Sequence, residues 1–186
     1  MPKSVSPVVA VVATGIGAAL FFVLGKIAIP SPVPNTTINL QYAVLLVFAV
    51  LYGPVVGALI GFIGHTLIDI TGYGTWWSWI IASAVVGLVI GLVAFRSKIN
   101  EGRFGGRDIG LVAGAAVAAH LLAWVVVAPL GDILFYAEPA DKVFVQGGVA
   151  FALNAITSIV LGCLLLAGYA ATRTRSGSLT VDETVE

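Results

Sequence analysis

The sequence predicts an all-α integral membrane protein, a bundle of six transmembrane helices with both termini cytoplasmic. Three observations carry that expectation. Hydrophobic residues make up 59% of the 186 and charged residues only 10%, where a soluble domain carries about 25% charged. The charges are also bunched. None falls between Lys3 and Lys26, Lys26 and Asp69, Asp69 and Arg96, Asp108 and Asp132, or Lys142 and Arg173, and a bilayer span needs about 20 mostly apolar residues. Finally, the strict alternation of an outer-membrane barrel is missing.

The first helix is expected over residues 7–29. It is long, lacks a clear cleavage site and is followed by further spans, so it reads as a helix and not as a signal peptide. Pro30, Pro32 and Pro34 then impose extended backbone, since proline has no N–H to donate. A second, short helix is expected over 39–52. Gly53-Pro54 makes a tight turn, with Pro54 suited to the first turn of the third helix, 54–70. Gly72, Gly74 and Thr75 break that helix. The fourth runs over 76–95. A basic loop with Arg96, Lys98, Arg103 and Arg107 leads to the fifth, 108–130. A polar loop from 131 to 142, with Asp132, Glu138 and Asp141, leads to the sixth, 143–172. The membrane domain is thus 1–172, and 173–186 is expected to be a disordered cytoplasmic tail.

Lysine and arginine bias orients the bundle. Lys3, the basic loop, Arg173 and Arg175 fall on the side of the termini, and only Lys26 and Lys142 on the other. The termini are therefore cytoplasmic, and the loops around Pro30, Gly72 and Gly131 external. The formal net charge of zero implies no nucleic-acid partner. Cys163, in an apolar run, reads as a structural thiol. No internal repeat of the inverted-transporter kind is evident.

Polar side chains gather in the outer half. Asp69 stands at the outer end of the third helix, and His65 lies one turn deeper on the same face, about 6 Å by helical rise. His120 and Asn154 lie near the middle of the fifth and sixth helices. Asn35, Asn39, Gln41 and Tyr42 flank the first external loop; Tyr73 and Trp76 to Trp79 flank the second. An ionisable group inside a membrane is costly and suggests function. The candidate substrate-binding set is therefore Asn35, Asn39, Gln41, His65, Asp69, Tyr73, Trp76, His120 and Asn154. Bland alternatives stand beside it. Buried polar residues also serve as interhelical glue, Asp69 could be a solvated helix end, Lys26 could snorkel, and the tryptophans could form an interfacial belt. The inner half holds little but Ala, Val, Leu, Ile and Gly. This describes a pocket open to the outside, with no polar path through.

Small residues recur along the first helix, at Ala10, Thr14 and Ala18, at Ala13 and Gly17, and at Gly15 and Ala19. Such spacing lets a second helix approach closely, whether from a partner or from this chain. No phosphate loop, His-Glu-x-x-His or Gly-x-Ser-x-Gly motif occurs, so neither a built-in ATPase, a catalytic residue, a metal nor a cofactor is expected.

The run IPxPxPNTTINLQYA, then YGPVVGxxIGFIGHTLxD, then WWSWI resembles one branch of the substrate-binding S components of energy-coupling factor (ECF) transporters, over residues 8–171. The resemblance implies uptake of a water-soluble vitamin, with ATP hydrolysed by two separate ATPase subunits and a T component between them and this chain in the cell membrane. It suggests hydroxymethylpyrimidine, a thiamine precursor, as ligand. The helix 1 pattern is similar to the Ala-x-x-x-Ala motif by which S components dock on the T component, with Gly15 and Ala19 or Ala13 and Gly17 in place of two alanines. A stand-alone transporter or channel, or an intramembrane enzyme using His65, Asp69 or His120, are the competing readings.

Overall fold

The computed structural model describes residues 5–27, 29–34, 36–72, 74–95, 99 and 102–173. Lys3, Asn35, Tyr73, Arg96, Lys98, Arg175 and the expected tail from 174 onward lie outside the described residues. Among the described residues the chain forms helices α1 (Pro7–Gly25), α2 (Gln41–Tyr52), α3 (Pro54–Ile70), α4 (Trp77–Ala94), α5 (Gly106–Tyr136) and α6 (Ala140–Ala171). A short hairpin precedes α2, with β1 (Ile29–Pro30) antiparallel to β2 (Thr37–Ile38). Four helices, α1, α4, α5 and α6, are long and apolar enough to cross a membrane. At 12 and 17 residues, α2 and α3 are shorter, and α2 spans only about 18 Å.

The short α2 needs no bilayer length because the other helices enclose it. Tyr42, Ala43, Leu45, Leu46, Ala49, Val50 and Leu51 are all buried, and a helix apolar all round is a core helix. Below Tyr42, its Leu45, Leu46, Ala49 and Val50 join Ile60, Val86, Ile90, Val112, Ala115 and Ala116 in one dry core. Gly53 links α2 to α3 with φ 94°, a left-handed conformation that favours glycine, and Pro54 opens α3.

The closest helix pair is α3 with α4. A Cβ on Gly57 would stand 2.5 Å from the Gly87 carbonyl oxygen, and one on Gly87 would strike the Gly57 carbonyl in return. Gly61 likewise faces the Ser83 backbone, and Gly91 faces Pro54. Backbone touches backbone along this seam, the geometry by which membrane helices gain packing without a hydrophobic driving force. On the other side of α3, Phe21 of α1 covers Gly64, and Ile60 fills the space at Gly17.

Helix ends differ from expectation by three residues or more in three places. α1 stops at Gly25, four residues early, because Pro30 holds Ile29 in the extended region and the chain turns into β1. α6 starts at Ala140, after Pro139. Most consequentially, the expected external loop from 131 to 142 is mostly helix. α5 continues through Tyr136 and ends at Ala137, which is left-handed with φ 54°. Pro129 does not break it because the preceding turns, Leu122–Val127, are π-helical. There the Ala128 N–H bonds to the Ala123 carbonyl, five residues back.

Candidate functional site

The polar residues meet at the end of the bundle formed by the start of α2, the end of α3, the start of α4 and the end of α5. On α3, His65 and Asp69 share a face one turn apart, with Nε2 3.5 Å from Asp69 Oδ1. His65 Nδ1 lies 2.5 Å from the Ser83 hydroxyl of α4, and Ser83 lies 2.9 Å from the Tyr42 hydroxyl of α2. His65 is 7% exposed and Asp69 and Ser83 are fully buried. With the proton on Nε2, Tyr42 donates to Ser83, Ser83 to His65, and His65 points its N–H at Asp69. Three helices are thereby joined by one file of polar groups.

Trp76 joins this file to α5. Its backbone N–H donates to Asp69 Oδ2 at 2.9 Å, and its indole N–H donates to Asp132 Oδ1 at 2.7 Å. Asp132 also accepts the Trp79 indole N–H at 2.8 Å and the Ser78 hydroxyl. Tyr136, one turn on, stacks on Trp76 with ring centroids 4.3 Å apart and accepts the Trp77 backbone N–H at 2.9 Å. Of Trp76, Trp77 and Trp79, Trp77 alone is exposed, at 48%. Trp76 and Trp79 turn inward, because Asp132 supplies the acceptor that their N–H groups need.

Deeper in the bundle a second cluster backs the first. The Trp124 indole N–H donates to His120 Nδ1 at 2.8 Å. Indole nitrogen is only a donor, so His120 Nδ1 accepts and Nε2 carries the proton toward Ser158 Oγ at 2.9 Å. Tyr42 meets His120 and Trp124 edge-on, with centroids 5.4 Å and 5.5 Å away, and Trp79 lies 5.1 Å from Trp124. Planar rings separated by polar fixing points suit recognition of a planar polar molecule.

At the hairpin, Asn39 binds Asn154 of α6 at 3.3 Å and the Thr37 carbonyl at 3.0 Å, while Gln146 donates to Pro34. Gln41 is 4% exposed, and its Oε1 meets no hydrogen-bond partner among the described residues. His65, Asp69 and Trp76 are thus directly linked, His120 joins them through Tyr42, and Asn39 and Asn154 pair separately. Asn35 and Tyr73 fall outside the described residues. Lys26 caps α1 and donates to the Ile68 carbonyl. No group of three metal-ligating side chains occurs among the described residues.

Several members escaped the sequence reading. Asp132 and Tyr136 looked like loop residues; Ser83 and Ser158 were lone hydroxyls in apolar runs; Trp124 looked like a span residue. The one available signal was a lone acid, Asp132, just beyond a span that carries no Asp, Glu, Lys or Arg after Asp108.

The small residues of α1 divide between two faces. Ala13, Thr14, Gly17 and Ala18 are buried, whereas Gly15 and Ala19 are exposed. Gly15 has nothing within 4 Å of where a Cβ would stand. Ala13 also borders a shallow apolar groove of about 320 Å³, lined with it by Val8, Val9, Val12, Ile16, Phe48 and Tyr52. A larger cleft of about 620 Å³, between Arg103 and Ala171, also lies at the end opposite the polar cluster.

Comparison with known proteins agrees with this architecture. Residues 6–171 match the family model described as ECF-type riboflavin transporter, S component. A UPF0397 protein of Streptococcus gordonii is 56% identical over 92% of this chain and 93% of its own. One from Lactococcus lactis subsp. cremoris is 53% identical over 91% and 94%, and one from Streptococcus pneumoniae is 50% identical over 92% and 95%. This multi-pass membrane chain belongs to the S-component family of ECF transporters, a family of substrate-binding transporter subunits.

Proposed function

We propose that this chain captures a small, planar, water-soluble vitamin or vitamin precursor from outside the cell and delivers it to an ECF importer. The observation that carries this reading is the asymmetry of the bundle. Hydrogen-bonding and aromatic side chains converge at one end, from Asp69 and Asp132 down to His120, and below Tyr42 the core is apolar. A binding site without a polar continuation suits a subunit that holds its ligand and depends on partners for transport. Arg103, Arg107 and Arg173 lie at the opposite end, which is cytoplasmic by the positive-inside rule; the polar end then faces outward. A T component and two ATPase subunits supply the energy coupling, and Gly15 and Ala19 mark the open face of α1 for the T component.

For the ligand, the rings around Tyr42, Trp76, Trp79 and Trp124 stand only 4.3–5.5 Å apart. A single-ring heterocycle such as hydroxymethylpyrimidine disturbs that packing less than the three fused rings of riboflavin, the vitamin in the family's description. Equilibrium binding of radiolabelled hydroxymethylpyrimidine and riboflavin to the purified protein tests the reading. Saturable binding of the pyrimidine is expected. Tighter binding of riboflavin overturns the ligand, and failure to bind any of a panel of vitamins overturns the capture role.

A further inference from the structure

We infer that Asp132 is the positioning residue for the aromatic wall of this site, fixing the indoles of Trp76 and Trp79 in the orientation that a planar ligand meets; the inference rests on the capture role proposed above. Asp132 is 2% exposed, and its two oxygens are divided between the two indoles. Oδ1 takes the Trp76 N–H at 2.7 Å and Oδ2 the Trp79 N–H at 2.8 Å. Ser78 supplies a third donor, and no cation bonds to Asp132 among the described residues. Indole N–H groups buried in an apolar bundle need an acceptor. A carboxylate is the one side chain with an acceptor oxygen for each of two indoles and no N–H of its own to oppose them.

The backbone of α5 is shaped to bring Asp132 there. His120 and Asp132 are 12 positions apart, whereas three turns of α-helix take about 10.8 residues. In a regular helix the two would be about a third of a turn out of register. The π-helical turns Leu122–Val127 take up roughly one extra residue, and so return Asp132 to the face that carries His120. Gly131 completes the approach: a Cβ there would stand 2.6 Å from Ser78 Cβ, so α5 and the start of α4 meet where the carboxylate and its donors must bond. The wide turns and the glycine both serve a contact that lies outside the His65 file.

The test combines a spectroscopic readout with ligand binding. Asp132→Asn keeps the size of the side chain but exchanges one acceptor oxygen for an NH2 group that faces an indole N–H. In the purified protein it should change the near-ultraviolet circular dichroism of the tryptophans and red-shift their emission, with helical content retained. Hydroxymethylpyrimidine binding should weaken about tenfold or more. In a Trp76→Phe/Trp79→Phe background, where the indole N–H groups are gone, Asp132→Asn should have little further effect on binding or on the thermal midpoint. An Asp132→Asn effect that persists undiminished in that background overturns the inference, as does a tryptophan spectrum unchanged by the substitution. If no vitamin binds the unmodified protein, the capture role fails, while the spectra and the thermal cycle still decide whether Asp132 orients the indoles. If Asp132→Asn fails to fold alone but folds in the double-phenylalanine background, the inference is supported by that rescue.

Discussion

His65 Nδ1 stands 2.5 Å from the Ser83 hydroxyl, and this contact fastens α3 to α4 one turn below Asp69. Both groups are buried, so losing either removes one hydrogen bond from a buried polar atom of the other. His65→Ala is expected to weaken ligand binding by about 1–3 kcal/mol, the cost of an unpaired buried polar group. Isothermal titration with the ligand that binds the unmodified protein measures it. Affinity unchanged within a factor of two would remove His65 from the site.

Ser83→Ala tests the same file from its centre. It deprives His65 and Tyr42 of a common neighbour without adding bulk. The thermal midpoint in detergent should fall by an amount equivalent to about 1–3 kcal/mol. A midpoint equal to that of the unmodified protein would show that Tyr42 and His65 find other partners at no cost.

The apolar core below Tyr42 predicts transport behaviour. Vesicles containing this chain alone should bind vitamin at their surface but not accumulate it. Addition of the T component, the ATPase subunits and ATP should start uptake. Accumulation against a gradient by the chain alone would exclude a capture-only subunit.

On α1, Gly15 and Gly17 should respond in opposite ways. Gly15 faces open space, so Gly15→Leu should leave folding and ligand binding intact yet reduce co-purification with the T component. Gly17 is filled by Ile60 and Phe48, so Gly17→Leu should destabilise the isolated subunit by about 1–3 kcal/mol through overpacking. Normal co-purification of a folded Gly15→Leu protein would end the docking assignment for that face.

The α3–α4 seam is the least tolerant contact. Gly87→Val places a side chain against the Gly57 carbonyl and cannot be relieved by a rotamer change, because both partners are backbone. Loss of the folded monomer in size-exclusion chromatography is expected. A fully folded Gly87→Val protein would mean that the two helices can separate without harm.

The helices themselves were legible because charge and apolar length are strong signals in a membrane chain. Gly53-Pro54 located the α2–α3 turn to the residue, and His65 with Asp69 emerged from helical spacing alone. The misjudged parts share a cause. Asp132 and Gly131 follow Pro129, a sequence that ordinarily ends a helix, and nothing in single-residue preference announces that π-helical turns absorb the proline. Ser83 and Ser158 acquire meaning only from the histidines opposite them. The division of α1 into a packed face and an open face depends on where α3 lies, which the regular spacing of small residues does not encode.

The dry core around Leu45, Leu46, Ala49 and Val50 has an electrical consequence. A charge at the centre of a membrane helix costs about 2.5–3.5 kcal/mol even on the mildest scale, and this stretch presents more than a full turn of side chains with nothing to solvate an ion. That part of the bundle therefore offers protons and sodium no polar stepping stone across the membrane.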